Sequence, residues 1–310
     1  MLLCAHNKII NNNVFKTLTI MKNTKLSFPF LVSTLMLFFG SCSTEELDEI
    51  STEELTTTVS SNVAIGNDFL DYGLYWFDAN NNSTKGFNEV NNTAINVSSS
   101  YYDSSKPTMI YFHGWQLGSS EDNFRREGFY FEDGDVNTVQ FWKNKGWNVA
   151  IFYWNQFADE VEVKDAEAKI WSVNGPRNMR YRQSNGNYST LQSPSTDVAN
   201  LAANQIKIAL NLNTSNNVRF AGHSLGAQLA SRTAMIISND VNKGDISTGL
   251  KVDRLELLDP FWSAGGKSYL NNSWTGENSR GHINTMINRD NLAVTWYNSC
   301  LLYTSDAADE

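Results

Sequence analysis

The chain has 310 residues, 41% of them hydrophobic, and 24 Lys and Arg against 33 Asp and Glu give a formal net charge of −9. An acidic balance with no basic stripe speaks against nucleic acid as a partner, and the length suffices for one folded domain with a leader and a tether. Cys4, Cys42 and Cys300 each fall in a segment set apart below from the folded domain, which leaves nothing for a disulfide framework, and no Cys/His cluster has metal-ligand spacing, so neither metal nor other cofactor is expected.

Residues 1–20 precede a segment that reads as a leader in its own right, so they are expected to be an upstream extension, with Met21 the true start. In residues 21–41, Lys22 and Lys25 charge the beginning, an apolar run follows, and Gly40-Ser41-Cys42 closes it. A charged start, a short apolar stretch and small closing residues make a secretory signal. The run is shorter than the ~20 apolar residues that a spanning helix needs. With cysteine directly after the small residues, the pattern resembles a bacterial lipoprotein signal. That resemblance implies lipidation of Cys42 and anchorage in the cell envelope at the outer membrane, on its periplasmic or its outer face. An ordinary secretory signal with an incidental cysteine is the alternative. Residues 42–62 carry Glu45, Glu46, Asp48, Glu49, Glu53 and Glu54 among Ser and Thr, the composition of a solvated tether. This stretch is similar to the acidic segments that follow the lipid cysteine in surface-exported lipoproteins of the Bacteroidetes.

Residues 63–299 read as one domain. Residues 63–104, rich in Asn, Tyr and Trp, suggest an added hairpin or edge strands. Apolar runs at 108–112, 148–154, 217–221, 251–258 and 282–287 read as strands. Between them, a helix is expected from Ser193-Pro194 through Val198, Leu201, Ile206 and Leu210, and another of roughly four turns from Leu225 to Ile237. Residues 239–248 read as a loop. The long polar stretch between Trp154 and Ser193, with Trp171, Arg177, Arg180, Tyr181, Arg182 and Tyr188, reads as a loop that either faces substrate or covers the sheet. Strands alternating with helices imply an α/β fold with a mostly parallel central sheet covered by helices on both faces.

Three motifs carry chemistry. Gly222-His223-Ser224-Leu225-Gly226-Ala227-Gln228 follows a strand and opens a helix. A Gly-x-Ser-x-Gly in that context is a nucleophile elbow, a strained turn in which small residues two before and two after the serine let strand and helix pack closely. Phe112-His113-Gly114-Trp115 ends an earlier strand. The backbone amides of Trp115 and Leu225 are the expected donors to the oxyanion that forms in acyl transfer. His113 reads as a residue that pins this loop. Leu257-Leu258-Asp259-Pro260 sets Asp259 at the carboxyl end of a strand, the edge where open α/β sheets carry their sites. An aspartate before proline also starts ordinary turns, and it is the company of the other two motifs that favours a catalytic acid.

In the order and wording of these three phrases the chain resembles the pancreatic-type triglyceride lipase family of the α/β-hydrolases, over roughly residues 105–299. The resemblance implies Ser224 as nucleophile and Asp259 as acid, with a carboxylic ester or lipid as substrate. Asp259 follows Ser224 at a longer interval than that family shows, and the family's cysteine pairs are missing. A triad needs a histidine after Asp259. Within the chain that is His282 alone, expected at the edge of a strand and thus a weak candidate. Residues 300–310 resemble translated sequencing-adapter read-through, which puts the expected histidine, with a last strand and helix, beyond about Ser299. On that expectation the chain as written turns over negligibly unless His282 substitutes. A serine peptidase or acyltransferase on the same fold, or an inactive surface binding lipoprotein, fits the same motifs.

Overall fold

The computed structural model describes residues 8–9, 70–122, 127–131 and 136–298. The expected leader, Cys42, the acidic tether and residues 300–310 lie outside the described residues. Seven strands build the main sheet: β1 (Gly73–Phe77), β2 (Ser83–Lys85), β3 (Thr108–Phe112), β4 (Asn148–Tyr153), β5 (Val218–His223), β6 (Val252–Leu258) and β7 (Ala293–Tyr297), in the spatial order β7-β6-β5-β3-β4-β1-β2. The two-residue strand Lys8–Ile9 pairs antiparallel with β7. All pairings from β4 across to β7 are parallel, and β1 and β2 close the other side antiparallel. The expected hairpin before the first parallel strand is β1–β2, turned at Asp78, whose carboxylate accepts from the amides of Asn80 and Asn82.

β1 and β4 are buried along their whole length, which is the signature of strands covered on both faces. One face carries Leu74, Ile110, Phe152, Phe220 and Leu255 under four helices: α2 (Val163–Trp171), α3 (Val198–Ala209), α4 (Leu225–Lys243) and α5 (Thr275–Asp290). The opposite face carries Tyr75, Met109, Val149 and Ile151 under Phe129 and the helix α1 (Thr138–Asn144), which contributes Val139. This mostly parallel sheet, with helices on both faces and a sharp strand-to-helix turn at its centre, is an α/β-hydrolase fold.

Four sequence expectations are corrected. Residues 282–287 are not a strand but the second half of α5, where Ser279, Ile283, Met286 and Asp290 recur at helical spacing toward the core. The strand lies just beyond, in β7, whose Val294, Thr295 and Trp296 are the residue types that fit a pleated surface. α4 continues through Asn239–Lys243, part of the expected loop, and ends where Gly244 takes φ +82°. α3 begins at Val198 instead of Ser193-Pro194, because the Asp197 side chain accepts from the amide of Asn200 and caps it there. The stretch between Trp154 and Ser193 is mostly ordered structure: a turn of helix at Asn155–Ala158, then α2, then a hairpin of Tyr181–Arg182 with Tyr188–Ser189.

Candidate active site

β5 lies between β3 and β6, so its carboxyl end opens at the middle of the sheet. There Ser224 adopts φ +53° and ψ −122° as the residue that precedes α4. A non-glycine residue at positive φ costs of order 1–3 kcal/mol and persists only where its surroundings impose it. Those surroundings are tight. A Cβ on Gly222 would stand 2.7 Å from Ala227 Cα, and one on Gly226 would overlap the Phe112 carbonyl oxygen and stand 2.7 Å from that of His113. Both elbow glycines therefore let α4 start in contact with β5 and with the end of β3. Leu225 supplies the first amide of α4, at the helix end where N–H groups lack intrahelical partners.

The turn after β3 meets the serine directly. A Cβ on Gly114 would come within 2.9 Å of Ser224 Cβ and 3.4 Å of its Oγ. His113 is fully buried; its Nδ1 lies 2.9 Å from the Gly114 carbonyl, its Nε2 accepts from the Trp154 amide at 2.9 Å, and its ring stacks on Trp154. Burial lowers its pKa, so it is a neutral pin for the loop, as its sequence context suggested. Trp115 donates its indole N–H to the Glu160 carbonyl at 2.7 Å. The buried Asp159 carboxylate accepts from the amides of Gly118 and Ser120 at 2.7 and 2.9 Å and is held by Arg182 at 3.1 Å. The arginines of the 155–192 stretch thus engage carboxylates of the protein, Arg180 spanning Glu160 and packing over the Tyr188 ring, while Tyr181 and Tyr188 donate to the backbone carbonyls of Leu191 and Asp159. They cover and brace the loop that bears Trp115.

Asp259 follows β6 at once, half-buried with φ +41°. The Ser224 amide donates to the Leu258 carbonyl at 3.0 Å and the Phe261 amide to the Ser224 carbonyl at 3.2 Å, so the segment bearing Asp259 crosses the elbow and is tied to it on both sides. His282 sits on α5, stacked on Trp171, with its Nδ1 buried and unpartnered. Burial, and then the charge of Arg232, lower its pKa to about 4. Arg232 lies eight residues into α4 from Ser224, about 12 Å along the helix axis.

A second imidazole stands within the elbow itself, that of His223, the last residue of β5. Its Nδ1 lies 3.8 Å from Glu127 Oε1. The Glu127 carboxylate beside it raises its pKa against the effect of burial, helped by the charge of Asp259. Glu127 also accepts from Tyr111 Oη at 2.8 Å. Burial favours its neutral form, but the His223 imidazole and the hydrogen bond from Tyr111 bring it down to about 2. Glu127 was missed because its side-chain partners, Tyr111 and His223, lie on two strands, one before it in the chain and one far after it. The signal available was an acid just before the aromatic run Phe129-Tyr130-Phe131. Among the described residues no cluster of His, Cys, Asp and Glu could hold a metal ion. A cavity of 380 Å³ lies elsewhere, at Lys164, Arg177, Lys267 and Tyr269.

No family model and no curated protein matches the chain. Among solved structures it is similar to two of esterase B from Lactobacillus rhamnosis. One is a C6-C4 SN3 inhibited form, with 15% identity, a TM-score of 0.21 and coverage of 61% of this chain and 50% of that one. The other contains C4-C4 SN3 tributyrin phosphonate, with 16% identity, a TM-score of 0.20 and coverage of 51% and 40%. The chain spans half or less of the length of these proteins. The fold assignment rests on the sheet order and the elbow.

Proposed function

We propose that the protein is a serine hydrolase that cleaves carboxylic esters through an acyl-enzyme. The observation that supports this most is the strained Ser224 at the centre of the sheet's carboxyl edge, with the Gly114 backbone against it on one side and the Asp259 segment tied across it on the other. Ser224 Oγ attacks the ester carbonyl carbon while its proton passes to a histidine that Asp259 orients, which this reading expects beyond residue 299 and not in His282, stacked on Trp171. The amides of Trp115 and Leu225 hold the oxyanion. The protonated histidine then gives its proton to the departing alkoxide as the carbon–oxygen bond breaks. Water, activated by the same histidine, releases the acid and restores Ser224. A lipase-like preference for acyl esters is proposed on the motif resemblance, and attachment to the envelope through a lipid on Cys42 on the leader pattern.

The test, made on the full-length protein with the sequence that follows residue 299 in the gene, is labelling by a fluorophosphonate probe, read by mass spectrometry at Ser224, with p-nitrophenyl esters and matched peptide substrates assayed in parallel. Labelling of Ser224 and ester turnover that falls to the buffer blank in Ser224→Ala support the reading. Peptide turnover without ester turnover would replace it with a peptidase, and an unlabelled Ser224 would remove it, because an unactivated serine does not react.

A further inference from the structure

We propose that Glu167 is a positioning residue of this site, holding the segment that carries Asp259 in register with the Ser224 elbow; the proposal deepens the hydrolase reading and rests on it. Glu167 projects from α2, is fully buried, and gathers donors from three other parts of the chain. Its Oε1 accepts from Gln228 Nε2 at 2.6 Å, from the Ser263 amide at 3.0 Å and from Thr275 Oγ1 at 2.8 Å, and its Oε2 accepts from Ser263 Oγ. Lys267 Nζ stands 3.9 Å away. Gln228 lies one helical turn after Ser224, and its Nε2 donates to the Phe261 carbonyl at 2.6 Å as well as to Glu167. The Phe261 amide in turn reaches the Ser224 carbonyl. A contiguous path therefore runs from Glu167 through Gln228 and Phe261 to the nucleophile, and a second runs through Ser263 to the same segment.

The chemistry requires a carboxylate at this position. Two N–H and two O–H groups converge on it, three of them on Oε1, while Oε2 meets Ser263 Oγ and faces the Lys267 ammonium, so a group that accepts at both oxygens suits both sides. A glutamine of the same shape would turn its own N–H₂ either toward the three donors on the Oε1 side or toward the Lys267 ammonium, which cannot accept, and either choice loosens the hold on Ser263 and Phe261. The 259–263 segment has no other buried carboxylate gripping it from α2, so the displacement falls on the residues between Leu258 and Ser263, which include Asp259.

The experiment compares wild type with Glu167→Gln and Glu167→Asp, the latter keeping an acceptor-only group. Hydrogen exchange by mass spectrometry reads the peptide covering 259–263 against the β3 peptide as internal reference, and probe labelling gives the rate at Ser224. Faster exchange in 259–263 with β3 unchanged is expected in Glu167→Gln. So is a labelling rate and kcat lower by about 10- to 100-fold with KM within about threefold, and partial recovery in Glu167→Asp. If Glu167→Gln does not fold, Ser263→Ala, which removes one donor, is read the same way with a loss of about threefold. A folded variant with unchanged exchange in 259–263, or with faster exchange and an unchanged labelling rate, overturns the proposal. A wild-type Ser224 that is not labelled overturns the hydrolase reading instead, and the exchange comparison still decides whether Glu167 holds the segment.

Discussion

Alanine in place of Gly226 sets two well-known effects against each other. Gly226 is the second residue of α4, and inside a helix alanine is favoured over glycine by about 1 kcal/mol. Local propensity alone therefore predicts a more stable protein. The tertiary contacts predict the reverse. The new methyl would overlap the Phe112 carbonyl oxygen and lie 2.7 Å from that of His113, inside the 3.0 Å that side-chain carbons keep. Both obstacles are backbone at the end of β3, so no side chain can rotate away; the start of α4 must withdraw from β3. Overpacking of this kind costs about 1–3 kcal/mol, and rigid carbonyls on two adjacent residues put it at the upper end. The net is a loss of about 2 kcal/mol, or a fall in Tm of about 4–8 °C at the 2–4 °C per kcal/mol typical of a domain this size. Gly281 provides the control, since it is an exposed residue of α5 where a Cβ would meet nothing. There alanine should add about 1 kcal/mol through propensity alone. Calorimetry on both variants checks the pair, with Ser224 labelling expected to slow only in Gly226→Ala. A Gly226→Ala protein as stable as Gly281→Ala would refute the argument that close approach of β3 and α4 demands glycine.

Three further outcomes follow from the same geometry. Because Ser224 is held at φ +53°, Ser224→Gly should be about 1 kcal/mol more stable than Ser224→Ala, both being inactive; equal melting temperatures would show that the elbow stores no strain. Glu127, with its pKa brought to about 2, adds stability above its ordinary 4.5 that is lost as pH falls toward 2. His223, with its pKa raised, adds stability below its ordinary 6.5 that is lost as pH rises through its folded value. The Tm gap between wild type and Glu127→Gln should therefore be widest between pH 4.5 and 6.5, and a gap independent of pH would count against the pairing. His282, its pKa lowered to about 4, is protonated more readily in the unfolded chain, so the protein loses stability as pH falls from 6.5 to 4. His282→Phe, which keeps the ring against Trp171 and removes the unpartnered Nδ1, should stabilise at pH 5 and do so less at pH 8; the opposite order would show that burial does not hold the imidazole neutral.

Local sequence determined the elbow, the loop after β3 and the place of Asp259, because each is written in a handful of adjacent residues. A strand that ends in Gly-x-Ser-x-Gly and opens an alanine-rich helix has few alternatives, and Leu-Leu-Asp-Pro stops a strand where it stands. The parallel α/β plan was legible for the same reason, in apolar runs of strand length separated by helical periodicity. Only the tertiary structure decided what lies between. The run 282–287 is apolar enough for either element, and packing against α4 made it a helix. The polar stretch after Trp154 looked like a loop because its charges are paired at a distance: Asp159 with Arg182, Glu160 with Lys169 and Arg180, Glu167 with donors about 60 to over 100 residues away. Burial of an ionised group depends on partners that local sequence does not display. For that reason Glu127, Asp159 and Glu167, the carboxylates that hold the candidate site together, became visible only once the chain was folded.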